Sequence, residues 1–541
     1  MASVAPGGRK GVFERMFARK SIAQVQRESA TSELKRSLGK WNLLLLGIGC
    51  IIGAGIFVRT GSAAALSAGP AVLLSFVVAG IVCAFAGLCY AELSSTLPVS
   101  GSAYTYGYTT LGEFAAWVMG ALLLLEYGLA ASVVAVGWSG YVVSLLADFG
   151  LAIPQTLTGP TGQGITRDVA NAAGEITKVP VLGADGAPLS YLFNLPAFLI
   201  CMALAGLLVV GVSESAKVNN VIVAIKVSVL VAFIVVGGLI VLANFGDLSA
   251  RNWSPFIPPS EGEGKFGVDG IMRAASIVFF AYIGFEAVST AGQEAKNPAK
   301  DMPFGIIGSL LVCTVIYMLV AAIMTLLVPY RQLDVPDPVA VVVDAFGPTW
   351  SWLAKTIKVG AIIGLTSVVL VLMYAQTRIF YTMARDGLLP KVFARVHPTL
   401  KTPYINTILV GTITAVAAGF FDINVLGDMT SVGTLAAFAI VCLSVIYLRR
   451  AAPDLPRGFK VPLYPVLPVL GILSCLYLIT TVPWDVLRFF LYYMIGALAL
   501  YFVYGLHNSN LQHGEPQDDQ PDLPAYPEDA ATAGGEPVIK P

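Results

Sequence analysis

Four features of this chain could do chemistry inside an apolar environment: two glycine-broken stretches, one acid and one amine. The first stretch reads Gly47-Ile48-Gly49-Cys50-Ile51-Ile52-Gly53-Ala54-Gly55-Ile56-Phe57, and the second Ser276-Ile277-Val278-Phe279-Phe280-Ala281-Tyr282-Ile283-Gly284-Phe285-Glu286. Glycine at 53 and 55 lets a helix stop and restart, and the restarted half opens with N–H groups that lack internal acceptors and carry partial positive charge. That end, at Gly53, Ala54 and Gly55, suits a carboxylate. The carbonyls that end the preceding half around Ile51, with those of Phe280, Ala281 and Ile283 in the second stretch, have the opposite polarity and suit an ammonium group. An α-amino acid satisfies both. The same glycines also suit close packing of two helices, since Gly49 and Gly53 are four residues apart. The recurrence of a break five apolar segments later favours a site, because irregular backbone at membrane depth is tolerated where it lines a cavity.

The acid is Glu126, about 13 residues into its apolar segment from Glu113, roughly 20 Å deep at 1.5 Å per residue. It is too deep to reach water, so it needs a partner or a proton. Two readings are open, a contact with a substrate ammonium or a bridging water, and a hydrogen bond between helices. The amine is Lys226, about six residues or roughly 9 Å beyond the polar start of its segment. It either snorkels to the interface or stays buried as an amine that takes up and releases a proton. Glu286, three residues beyond Ile283, either joins a gating network or caps a helix. Glu92, Glu294 and Lys296 read as gate or interface charges and not as ligands.

These groups need a membrane around them, and the composition supplies one. The 541 residues are 56% hydrophobic and 12% charged with a mean hydropathy of +0.76, against about a quarter charged in soluble domains. Apolar stretches of about 20 residues, enough to cross roughly 30 Å of hydrocarbon, fall near 41–66, 70–97, 113–147, 191–211, 218–245, 270–291, 303–328, 350–382, 404–421, 425–448, 464–482 and 485–506. The expected fold is therefore an all-α integral membrane protein of 12 transmembrane helices. Basic residues concentrate in 1–40, 383–402 and 449–460, whereas the loops 148–190 and 247–268 hold two each. By the positive-inside rule both termini are expected in the cytoplasm, with the chain in the cytoplasmic (inner) membrane.

The expected organisation is a cytoplasmic segment 1–40, a first five-helix unit 41–246, a second 270–448, two further helices in 464–507, and a hydrophilic, disordered tail 508–541. The turn-rich loop 148–190 inside the first unit is expected outside, either as a cap or as a mobile loop. Balanced charge, 33 basic against 33 acidic residues, excludes a nucleic-acid surface. Three histidines without ligand-like spacing argue against a transition-metal site, and seven cysteines within apolar runs argue against a disulfide framework.

Several motifs together carry a resemblance. The first break, Tyr90-Ala91-Glu92-Leu93 followed by Pro98-Val99-Ser100-Gly101-Ser102-Ala103-Tyr104, and Gly284-Phe285-Glu286 leading to Glu294-Ala295-Lys296-Asn297-Pro298 resemble the amino acid, polyamine and organocation permeases. The last motif, with Met383-Ala384-Arg385-Asp386-Gly387-Leu388-Leu389-Pro390, resembles bacterial members of the cationic amino acid transporter branch. The resemblance spans about residues 35–507. It implies a leucine-transporter-like fold of two inverted five-helix repeats with helices 1 and 6 broken, and alternating access. It maps the carboxylate site onto Gly53, Ala54 and Gly55 and the ammonium site onto the carbonyls of Ile51, Phe280, Ala281 and Ile283. It further implies that Phe280 lies over the substrate as a gate, that Leu365 walls the side-chain pocket, and that Lys226 couples proton movement to the cycle where sodium-coupled relatives of the fold bind a cation.

The reading is a secondary transporter that imports L-α-amino acids, small or medium neutral ones if Glu126 holds the α-ammonium, by proton symport. It implies no cofactor, the proton and not sodium as coupling ion, and the amino acid and the lipid bilayer as partners. The alternatives are an exchanger or uniporter of cationic amino acids or polyamines, and a non-transporting amino-acid sensor. An intramembrane enzyme would need a catalytic dyad or metal cluster at depth, and no histidine lies mid-segment.

Overall fold

A computed structural model describes residues 11–20, 38–97, 102–170, 176–183, 186–211, 216–292, 294–400 and 402–513. Most of the expected N-terminal segment, Pro98 to Gly101 of the motif after the second apolar run, and residues 514–541 of the expected tail lie outside the described residues. The apolar runs are helices. In chain order they are α1 (Lys40–Ile51), a helical stretch α2 over residues 55–68, α3 (Val72–Thr96), α4 (Ser102–Thr110), α5 (Glu113–Asp148), α6 (Leu195–Val210) and α7 (Ala216–Asn252). They continue as α8 (Gly267–Val278), α9 (Pro298–Leu327), α10 (Pro338–Asp344), α11 (Ser351–Arg385), α12 (Tyr404–Phe420), α13 (Ile423–Ala451), α14 (Val466–Thr480) and α15 (Trp484–Leu500).

Among the described residues eight helical stretches are long and apolar enough to cross a membrane, one of them running from Lys40 through the first break to Thr96, and α6, α12 and α14 are shorter apolar helices. The molecule is a multi-pass membrane protein. Its most buried spans are α5 and the stretch Gly267–Ala291, and its least buried is Trp484–Asn508, whose Tyr492, Ile495 and Val503 point outward as lipid-facing residues do. At the centre α5 lies along α11 and against α13; α9 packs on α3 and α1, α12 on α6, and α7 on α9 and α11.

The two ends of the bundle are closed differently. At the end where the described chain termini meet, the Arg15 guanidinium donates to the Leu506 carbonyl, Lys20 pairs with Asp386 at 2.8 Å, and Tyr104 donates to the same carboxylate at 2.8 Å. Ser509 donates to buried Glu113 at 2.5 Å, so the tail expected from 508 begins inside a packed turn. Glu92 on α3, buried, accepts from Arg449 Nε at 2.8 Å and from the Val461 N–H at 2.7 Å, with Arg457 at 3.5 Å. It is an interface charge, as its position in the sequence suggested.

At the far end the loop 148–190 is a cap. It contains the antiparallel hairpin β1 (Thr166–Ala170) and β2 (Ile176–Pro180), and its Thr161 N–H reaches the Phe420 carbonyl at the end of α12. The short helix α10 is clamped to the same end by buried Lys358 of α11, which bonds Asp148 at 2.8 Å and Asp344 at 3.1 Å. Asp337, at the N-terminus of α10, faces this cluster, and its carboxyl is raised to about 6 from 3.8 by burial, against the lowering effect of Ser144 and Lys358.

Since the fold raises this acid's value, the site's contribution to stability is complete below the unfolded value and is lost as pH rises through about 6. Asp337→Asn is therefore expected to raise the thermal midpoint in detergent at about pH 7.5, with the gain vanishing toward about pH 4. Equal shifts at both pH values would exclude a titrating Asp337.

Candidate functional site

The first break is short. α1 ends at Ile51, Ile52 turns the chain into extended backbone (φ −72°, ψ 99°), and helical structure resumes at Gly55 in a π-type turn, Gly55–Arg59. Phe57 N–H is the first to reach back into the break, to the Gly53 carbonyl at 3.4 Å. Before it, the N–H groups of Gly53, Ala54 and Gly55 meet no acceptor among the described residues. The second break follows α8 as a tight turn, Phe279–Tyr282, then Ile283 in extended backbone and Gly284 at φ 119°, a conformation that favours glycine. No donor among the described residues reaches the carbonyls of Ala281 and Ile283, whereas that of Phe280 accepts the Ile283 N–H at 3.3 Å.

The two breaks touch. A Cβ on Gly55 would collide with the Ala281 backbone, and one on Gly284 would lie 2.7 Å from the Cys50 carbonyl. Between them is a small cavity of about 20 Å³, enough for roughly one water. It is lined by Cys50, Ile51, Gly53, Ala54 and Gly55 of the first break, Phe280 and Ile283 of the second, Ala130 and Val134 of α5, and Val368 and Leu372 of α11. Residues with unpaired N–H groups, Gly53 to Gly55, thus form one wall, Ile283 with its unpaired carbonyl belongs to the other, and aliphatic side chains close most of the remainder.

Of the expected site residues, Ile51, Gly53, Ala54, Gly55, Phe280 and Ile283 line this cavity. Ala281 packs against Gly55 and contributes its backbone. One lone pair of the Ile51 carbonyl is taken by Tyr317 Oη of α9 at 2.8 Å, leaving the other. Leu365 is fully buried on α11 and is not among the residues that line this cavity, whose α11 wall is Val368 and Leu372. Leu365 and Val368 are three residues apart and so share one side of α11, one turn removed along its axis. Ala130 and Val134 were missed, though both follow Glu126 at helical spacing and that spacing marks one face of α5.

Glu126 stands on α5 as well. It lies one turn before Ala130, fully buried and outside the cavity lining; neither carboxyl oxygen has a hydrogen-bond partner among the described residues, and Glu286 and Thr434 are the polar groups acting on it. Glu286 accepts from the Gly284 N–H at 2.9 Å, so it caps the turn after the second break. Lys226 does not snorkel. Its side chain is 2% exposed and its ammonium donates to the Gly49 carbonyl at 3.1 Å, at the negative end of the α1 dipole.

On the far side of the cavity lies a network that sequence reasoning passed over. Arg59, 1% exposed, pairs with Asp428 of α13 at 2.8 Å and donates to Asn424 at 2.6 Å, and Arg273 of α8 binds the other Asp428 oxygen. The signal was available, since arginine within an apolar run is expensive unless paired, but nothing local points to a partner 369 residues away. Among the described residues no group of three His, Cys, Asp or Glu side chains converges to hold a metal ion.

Comparison with known proteins places this geometry. The family model described as amino acid permease matches residues 38–503. A branched-chain amino acid permease, BcaP, of Bacillus subtilis (strain 168) is 45% identical over 499 residues, 92% of this chain and 99% of that protein. A methylthioribose transporter of the same organism is 43% identical over the same shares. A vacuolar cationic amino acid transporter 4 of Arabidopsis thaliana is 35% identical over 444 residues, 81% of this chain and 68% of that protein.

Because the Ala281 backbone fills the space beside Gly55, Gly55→Ala forces the breaks apart. It is expected to cost about 2 kcal/mol or more, as overpacking of a tight contact does, and to lower the thermal midpoint. Unchanged thermal unfolding would show that the two breaks are not in contact.

Proposed function

This chain belongs to the amino acid permease family, and on that premise we propose that it imports small to medium neutral L-α-amino acids with aliphatic side chains, by proton symport across the cytoplasmic membrane. Family and relatives are permeases and transporters, not enzymes. The observation that carries the substrate reading is the polarity of the cavity wall. The N–H groups of Gly53 to Gly55 can receive a carboxylate, the carbonyls of Ala281, Ile283 and Ile51 an ammonium, and none of the lining side chains is charged. Ala130, Val134, Val368 and Leu372 then face the substrate side chain, which argues for leucine-like cargo and against arginine, lysine or polyamines. The name of the Bacillus branched-chain permease points the same way. Phe280, on the cavity wall, has the position of a gate.

Proton coupling is read from Lys226. Its ammonium ties α7 to α1 at the Gly49 carbonyl, and loss of its proton would turn that charge-assisted hydrogen bond into a weaker neutral one. The inverted arrangement is supported by contact pairs that repeat on shifting the helix order by five. α3 lies on α9, α5 on α11 and α6 on α12; α1 meets α9 as α8 meets α3, and α5 meets α13 as α11 meets α7. The excess of basic residues at the end that holds the termini supports a cytoplasmic assignment for that end.

The second reading rests on the methylthioribose transporter, whose cargo has neither ammonium nor carboxylate. A thermal-shift panel of the twenty L-amino acids, several polyamines and methylthioribose on the purified protein, followed by counterflow with the hits, separates the readings. Leucine, isoleucine, valine or alanine are expected to stabilise. Stabilisation by methylthioribose or by cationic solutes alone would overturn the proposal. For the coupling, Lys226→Met is expected to lose proton-driven accumulation in proteoliposomes, and pH-dependent accumulation retained in that variant would refute the role of the amine.

A further inference from the structure

Lys226 reaches Gly49 only because α11 offers it a groove. A Cβ on Gly364 would lie 2.8 Å from Lys226 Cγ, 3.2 Å from Cε and 3.4 Å from Cδ, three points along the stem. One turn earlier on the same helix, a Cβ on Gly360 would collide with Val229 of α7. Gly360 and Gly364 thus form a four-residue seam of small residues through which α7 and α11 approach closely. The stem of Lys226 lies in that seam, and its ammonium emerges on the far side at α1. One turn after Gly364 comes Val368, which touches Gly53 (3.4 Å from the place a Cβ would take) and lines the cavity, as does Leu372 a turn later. A single face of α11, read at every fourth residue, therefore runs from the amine to the wall of the candidate substrate site.

We propose that Gly364 is a positioning residue for Lys226: by having no side chain it fixes the path of the lysine stem across α11, and so sets the contact between the ammonium and the Gly49 carbonyl on which proton coupling depends. The inference rests on the coupling role given to Lys226 above. The cost of a methyl at this place cannot be relieved at the tip of the lysine, because the nearest atom is Cγ, close to the α7 backbone. The stem must leave the groove, and the ammonium leaves Gly49 with it.

The test compares variants in proteoliposomes with L-leucine, measuring uptake driven by an inward proton gradient and gradient-free counterflow, with thermal midpoints beside them. In Gly364→Ala, as in Lys226→Met, the ratio of driven uptake to counterflow is expected to fall at least about tenfold. In Gly360→Ala, which meets Val229 and not the lysine, the thermal midpoint falls but the ratio stays within about threefold of the parent. If Gly364→Ala is too unstable to purify, the double variant Lys226→Ala/Gly364→Ala, which removes the atoms in collision, is expected to recover the thermal midpoint of Lys226→Ala. A normal ratio in Gly364→Ala beside a collapsed one in Lys226→Met would overturn the positioning role and leave the coupling role intact. A normal ratio in Lys226→Met would overturn both, and a double variant no more stable than Gly364→Ala would show that the methyl clashes with something other than the lysine.

Discussion

At the centre of the bundle two backbones meet so closely, Gly55 against Ala281, that one added carbon has no room. Everything else about the site follows from the polar groups this contact exposes. A helix interrupted in an apolar interior leaves N–H and C=O groups that cost several kcal/mol each if nothing receives them. Side chains answer much of the demand: Tyr317 serves the Ile51 carbonyl, Tyr141 the Phe57 carbonyl, and Lys226 the Gly49 carbonyl. Among the described residues the N–H groups of Gly53 to Gly55 and the carbonyls of Ala281 and Ile283 meet no partner, and Gly53, Ala54, Gly55 and Ile283 line a space otherwise walled largely by aliphatic residues. Such a space selects for a solute whose charges complement both walls.

Two clusters of buried charge away from the cavity are paired. Arg59, Asp428 and Arg273 form one cluster beyond the cavity, and Glu92 with Arg449 and Arg457 another at the opposite end. A buried pair is weak evidence for net stability, because desolvation consumes most of the attraction, yet removing one partner is costly. These clusters therefore work less as glue than as markers of register. Each is complete only when particular helices stand opposite one another, α2, α8 and α13 in the first case, α3 and α13 in the second.

What could be read from the sequence was local. Runs of apolar residues gave the helices because length and hydropathy are properties of one segment, and Gly53 with Gly55 betrayed the first break because helices seldom need two such residues there. Position along the helix was harder. Glu126 was legible as buried, and Leu365 as part of α11, but how far along each helix the cavity lies was not, since that is fixed by the neighbouring helices. The docking of the loop that carries the hairpin escaped because Thr161 is anchored on the Phe420 carbonyl, more than two hundred residues on. Arg59 and Asp428 escaped as a pair for the same reason.

One further feature ties the two broken helices to each other. Just before α1, Leu38 exchanges backbone hydrogen bonds with the segment after the second break, donating to the Glu294 carbonyl at 3.0 Å and accepting from the Lys296 N–H at 2.9 Å. At the other end Asp428 holds Arg59 of the first broken helix and Arg273 of the second. Two rods fastened together at both ends and touching in the middle cannot slide or splay independently, so a load placed on either is shared by the other.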